Sequence, residues 1–140
     1  MTAAIFRILT IFTLVLFATG VQAQDTPTSL AGVKIVSADD AKALIGKANI
    51  FDVRKRASYL EGRLPKAKAA GQAFDAAAKK FDVSIFGADK AAPILIYGHG
   101  SDGWTAFHAA EAAAKAGFTN VAWMRNGFKE WSEKGNPLEN

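Results

Sequence analysis

The stretch Pro93–Tyr97 (PILIY) constrains the fold more than any other part of the chain. It is apolar and largely β-branched, and no polar residue alternates with the apolar ones. A strand of that kind needs cover on both faces, which is what an interior strand of a parallel sheet receives. A glycine-rich turn, Gly98–Gly103 (GHGSDG), follows it directly, and then the alanine-rich run Trp104–Ala116 with Gly117 as a C-terminal stop. Strand, tight turn and helix in that order make half of a right-handed crossover unit. Asn49–Val53 and Val121–Met124 are short apolar runs that read as further strands. Ser37 is placed to cap a helix over Ala38–Ile45, with Asp39 and Asp40 at its positive end and Gly46 at its stop. Phe74–Phe81 (FDAAAKKF) reads as a short helix from its alanines, and Phe128–Glu133 as a last one, closed by Gly135 and Pro137. The sum is an α/β domain with a central parallel sheet and helices on both faces.

The first residues do not belong to that domain. Arg7 precedes a run, Ile8–Phe17, that is apolar except for Thr10 and Thr13, and Val21-Gln22-Ala23 offers small or modest residues around a cut. This is the order of a secretory signal peptide, expected to be cleaved after Ala23, with an uncleaved N-terminal anchor as the alternative. The run is shorter than the roughly 20 apolar residues a spanning helix needs. Removing 23 of the 140 residues leaves 117, enough for one core without staples. Gln24–Ala31 (QDTPTSLA), polar and containing a proline, reads as a disordered leader within a linker at residues 24–32. The domain proper then runs from 33 to 140, and the expected location is periplasmic or secreted. There is no cysteine, although an exported chain has access to disulfides. Without Arg7 the chain holds sixteen basic and thirteen acidic side chains, and the basic ones are dispersed. That argues against a nucleic-acid partner, and nothing after the signal suggests a membrane one.

From about Val33 to Leu138 the pattern resembles the rhodanese-like family. Phe51-Asp52-Val53-Arg54 is similar to the family's D-x-R at the end of its first core strand. Tyr59-Leu60-Glu61-Gly62-Arg63-Leu64-Pro65-Lys66-Ala67 resembles E-Y-x-x-G-H-I-P-G-A, with arginine in the usual histidine place. Ile94–Tyr97 and the loop after it resemble the V-V-Y-C segment. Ala116–Val121 followed by Asn126-Gly127-Phe128-Lys129-Glu130-Trp131 resembles the family's C-terminal G-F-x-x-V…G-G-x-x-x-W. The resemblance implies that Asp52 and Arg54 are structural, and Asp52, at a strand end, is placed to brace the loop through backbone amides.

The same resemblance places Gly98 where active relatives carry the cysteine that holds a persulfide, and Gly103 where an arginine usually closes the loop. A thiolate is both nucleophile and carrier in that chemistry, so the resemblance assigns no catalytic residue, and Gly98 occupies the cysteine's position. The fragment Gly100-Ser101-Asp102-Gly103-Trp104 also resembles the C-x-x-C-W motif of an exported rhodanese-like branch associated with quinoprotein oxidation, with both cysteines as glycine.

Gly98, His99, Gly100, Ser101, Asp102, Gly103 and Trp104 remain as the candidate ligand-binding loop. Amides on a turn ahead of a helix N-terminus can form an anion nest. Asp102 opposes an anion and is alternatively an N-cap for the helix that opens at Trp104. Trp104 either roofs the pocket or packs into the core. His99 reads as a loop residue without chemistry, or else as a general base or metal ligand. His108 shares a helix face with Trp104, and Trp123 and Trp131 read as core. No set of residues has metal-ligand spacing, no G-x-S-x-G elbow surrounds Ser101, and no cofactor is called for. The leading expectation is a non-catalytic binding or accessory module whose partner is a protein or a small anion. The alternatives are an enzyme of different chemistry acting on a small anionic substrate through Gly98–Trp104, and a support role in a periplasmic redox complex.

Overall fold

A computed structural model describes residues 24–140; the expected signal segment, residues 1–23, lies outside the described residues. Among the described residues no helix is long and apolar enough to cross a membrane. The elements are β1 (Val33–Ile35), α1 (Ala38–Leu44), β2 (Asn49–Asp52), α2 (Arg56–Glu61), β3 (Lys68–Ala69), β4 (Phe74–Asp75), β5 (Lys80–Phe81), β6 (Ile94–Tyr97), α3 (Trp104–Lys115), β7 (Val121–Met124) and α4 (Gly127–Glu133). Five strands form one parallel sheet in the order β1-β7-β6-β2-β3. The central strand β6 aligns Tyr97 with Asp52 on one side and with Met124 on the other.

Strand side chains alternate between faces, and the two cores follow from that. Phe51, Ile94, Ile96 and Trp123 join Ala106, Ala109, Ala110 and Ala113 of α3 on one face. Ile50, Leu95, Tyr97 and Met124 join Ala38 and Ala41 of α1 and Trp131 of α4 on the other. The alanines of α3 let its backbone lie close to the sheet. Trp123 and Trp131 are both fully buried, as expected from the sequence. Ser37 caps α1 and completes a capping box with Asp40.

Two sequence expectations fail. Phe74–Phe81 is an antiparallel hairpin of β4 and β5, not a helix. The Asp75 carboxylate accepts from the amides of Ala77 and Ala78 and starts a turn, and Lys79 adopts φ 51°. Helix propensity in the alanines is worth only tenths of a kcal/mol per residue. Pairing Phe74 with Phe81 sets the Phe81 ring on Phe86 and the Phe74 ring on His108, and this tertiary contact prevails. The second failure is the leader. Gln24–Pro27 lies against the body of the domain, and Thr26 is only 3% exposed.

Candidate functional site

The C-terminal ends of β2, β6 and β7 open on one pole of the sheet, where ligands of parallel α/β domains sit. A cavity of about 340 Å³ lies there, with Val53, Phe74 and Ala106 among its apolar walls and Arg54, Lys55 and His99 among its polar ones. No carboxylate lines it. Gly98 borders the cavity at the end of β6. A Cβ built on Gly98 would meet Ala106 Cβ at 3.2 Å and Val53 Cγ2 at 3.9 Å, so a side chain there would sit among cavity-lining atoms.

The strand ends are locked by a buried polar network. Asp52 is fully buried and Arg54 is 5% exposed. The Arg54 Nε and Nη2 donate to both Asp52 oxygens at 2.7–3.1 Å, and the Arg54 amide donates to Asp52 Oδ1. Arg54 Nη2 also donates to the Gly62 carbonyl, and its guanidinium lies 4.0 Å from the centre of the Phe128 ring. The Tyr97 hydroxyl donates to Asp52 Oδ2 at 2.7 Å and accepts from the Leu64 amide. Burial, and then the Asp52 charge, push the Tyr97 phenol far above its ordinary value. A buried pair whose members are fully hydrogen-bonded holds its geometry, and removing one partner leaves a stranded charge.

Beyond Tyr97 the loop is fixed through its carbonyls. The Gly98 carbonyl accepts from the Phe128 amide and the His99 carbonyl from the Lys129 amide, both at 2.9 Å. The Gly100 carbonyl accepts from the Gly103 amide within its own turn, and the Ser101 carbonyl from Thr26. In a trans peptide unit the carbonyl and the following N–H point in opposite directions. Engaging the carbonyls of residues 98–101 therefore orients the amides of His99, Gly100, Ser101 and Asp102. Among the described residues no acceptor reaches these four amides. Of the four, only His99 borders the cavity, beside Gly98 and Gly103, and the Ser101 amide points away from Gly103 and so from the start of α3, a twelve-residue helix whose positive end lies there. Gly127 makes the loop's approach to α4 possible: its φ is +59°, and a Cβ there would lie 2.5 Å from the Gly98 oxygen.

Comparison with known proteins bears on this arrangement. The profile of the family described as "Rhodanese-like domain" matches residues 37–134. The chain belongs to the rhodanese-like family. Among solved structures, the Rhodanese_3 like domain of the Alr3790 protein from Anabaena sp. is 26% identical, with a TM-score of 0.52 over 66% of this chain and 99% of that one. The BH2092 protein from Bacillus halodurans is 21% identical, with a TM-score of 0.61 over 76% of this chain and 77% of that one. Thiosulfate sulfurtransferase from Pseudomonas aeruginosa shares the fold at 19% identity and a TM-score of 0.58, over 77% of this chain and only 20% of its own length. No curated protein matches.

Set in the rhodanese-like frame, this chain has glycine at the end of the central strand and no cysteine at any of its 140 positions. A persulfide has no atom to form on. Asp52 accepts from the Arg54 amide, and among the described residues no amide of the 98–104 loop donates to it. Asp102 does not cap α3: the N-cap is Gly103, which has no side chain to offer, and only the Asp102 main-chain carbonyl engages, accepting from the Trp104 amide. Trp104 is 37% exposed and rests edge-on to Phe107, so it occupies the rim instead of the core. Ser101 and His99 are not hydrogen-bonded to each other. The Ser101 hydroxyl donates to Asp25, and the residue borders a separate shallow groove beside α4. His108 stacks on Phe74.

Sequence reasoning missed Thr26, Arg125, and the α4 amides of Phe128 and Lys129. Asn126-Gly127 was the one available signal for the last pair, because an Asn-Gly step next to a helix start marks a close backbone approach. Nothing local marks Thr26, which acts 75 positions away.

Proposed function

We propose that the mature chain is an exported, non-catalytic rhodanese-like module that binds a small oxyanion in the cavity at Gly98–Trp104. The observation that carries this reading is a cavity at the start of α3 that is lined by the unengaged His99 amide, Gly103, Arg54 and Lys55 and by no carboxylate. Backbone donors at a helix start bind anions without needing a charged side chain. Lys55, an exposed cavity residue, adds a mobile positive charge at the mouth. Gly98 leaves the floor of the cavity free for the ligand. Export rests on the order of residues 1–23.

The test is a titration of the isotopically labelled mature chain with sulfate, thiosulfate and phosphate, following the amide resonances of the cavity-lining residues Gly98, His99, Gly103, Thr105 and Ala106. Saturable shifts confined to these amides and to Lys55 are expected, with sulfur transfer from thiosulfate to cyanide no faster than in buffer. Resonances that stay in place while excess anion is added would overturn the binding reading. Turnover above the blank would overturn the non-catalytic one.

A further inference from the structure

The cavity at the end of β6 is larger and more apolar than an inorganic oxyanion needs. Its 340 Å³ would hold roughly eleven waters at about 30 Å³ each, whereas a sulfate has only a handful of heavy atoms. Most of its lining carries no polar side chain. Val53 follows β2, Phe74 and Ala76 belong to the β4–β5 hairpin, and Ala106 lies on α3. Gly98 keeps the floor apolar and deep, because a Cβ there would stand 3.2 Å from Ala106 Cβ and 3.9 Å from Val53 Cγ2. The hairpin wall is fixed: Phe74 pairs with Phe81 and stacks on His108 with ring centroids 5.7 Å apart. Phe74 is only half-buried, so part of its ring is left for the cavity. Apolar walls with a few placed polar groups suit a small organic molecule.

The charge in the cavity is single. Arg54 lines it, but Nε and Nη2 are engaged by the Asp52 carboxylate and the Gly62 carbonyl, and the buried pair is neutral as a unit. Among the described residues Lys55 is the one lining lysine or arginine outside an ion pair. Asp75, beside Phe74, turns its carboxylate onto the Ala77 and Ala78 amides. One ammonium and no opposing carboxylate complement one negative charge. We propose that the ligand is an organic monoanion: an oxyanion head, sulfonate or carboxylate, at Lys55 and the His99 amide, and an apolar body about the size of an aromatic ring among Val53, Phe74 and Ala106. The head rests on the oxyanion reading; the body rests on the volume and the walls.

Four compounds added to the chain from Gln24 separate head from body: sulfate, methanesulfonate, benzenesulfonate and the neutral benzenesulfonamide. Burying one methylene raises affinity about fourfold, and ring surface equal to three of them about fiftyfold. Benzenesulfonate is therefore expected to bind about fiftyfold more tightly than methanesulfonate, with cross-peaks from its ring protons to Val53, Phe74 and Ala106. Lys55→Gln, at an exposed position, is expected to weaken benzenesulfonate about threefold and to leave benzenesulfonamide unchanged. Phe74→Ala is expected to weaken benzenesulfonate about tenfold and methanesulfonate not at all. Unchanged amide resonances along β6 identify variants that keep the fold. Methanesulfonate binding as tightly as benzenesulfonate, or ring cross-peaks only to other residues, would overturn the apolar body and leave the oxyanion reading intact. Benzenesulfonamide binding as tightly as benzenesulfonate would overturn the oxyanion reading and the charged head with it, leaving an apolar pocket. Saturable binding by none of the four would overturn both.

Discussion

Placing a thiol at Gly98 would turn the loop's electrostatics into a measurable quantity. The φ of Gly98 is not left-handed, and a Cβ there meets only Ala106 Cβ tightly, at 3.2 Å. Relief needs a few tenths of an ångström, and overpacking of that size at a cavity wall costs about 1 kcal/mol. Replacing glycine also removes freedom from the unfolded chain, which offsets about 0.4–1 kcal/mol. Gly98→Cys is therefore expected to fold with stability within about 1 kcal/mol of the parent. The α3 N-terminus stabilises an adjacent anion by up to about 2 kcal/mol. At 1.36 kcal/mol per unit, that lowers a thiol from about 8.5 to about 7. The exposed carboxylate of Asp102 acts the other way and keeps the expectation near 7 and no lower. The assay is thiolate ultraviolet absorbance against pH, and because the chain has no cysteine of its own the parent is a clean blank. Ala91→Cys, at an exposed position far from the loop, supplies the ordinary value. A Gly98→Cys thiol titrating at or above that reference would refute the view that these amides and the helix end favour negative charge.

The remaining predictions concern what holds the loop in place. Asp52→Ala strands the buried Arg54 guanidinium and is expected to cost about 3–5 kcal/mol by urea unfolding; a loss below 1 kcal/mol would mean that Arg54 finds water or another acceptor. Gly127→Ala forces a Cβ to within 2.5 Å of the Gly98 oxygen at positive φ, and about 2–4 kcal/mol is expected together with weaker sulfate binding. A neutral result there would show that α4 and the loop can separate freely. The raised phenol of Tyr97 makes stability depend on pH in the alkaline range. The unfolded phenol ionises near its ordinary value of about 10 while the folded one stays protonated, so stability is full below that pH and falls as pH rises beyond it. Tyr97→Phe is expected to flatten this limb of the stability curve, and an unchanged slope would assign it to other groups.

Much of the fold is visible in the sequence because its strands are buried on both faces. Ile94–Tyr97 and Val121–Met124 have no polar interruption, and the glycines and prolines around them mark their ends. Phe74–Phe81 misleads because three alanines and two lysines carry a helical bias, whereas the deciding contacts, Phe81 on Phe86 and Phe74 on His108, are tertiary. The loop is legible in composition but not in direction. Its glycines announce a turn; which way each peptide points depends on α4 and on Thr26, which are distant in sequence. Polar content alone made Gln24–Ala31 look disordered, since the pattern of a segment does not reveal that an arginine at position 125 is waiting for its carbonyls.

A recognition surface built from main-chain groups, as proposed for this loop, has an unusual map of vulnerability. Exchanging the side chains of His99, Ser101 or Asp102 leaves the peptide nitrogens where they are, so mutational damage at the mouth itself is expected to be mild. The sensitive positions are instead the anchors behind it: Thr26, ahead of β1, and Gly127, the first residue of the last helix. A scan that looked for function only in the residues facing the cavity would find almost none, and would pass over the places where this domain can be broken.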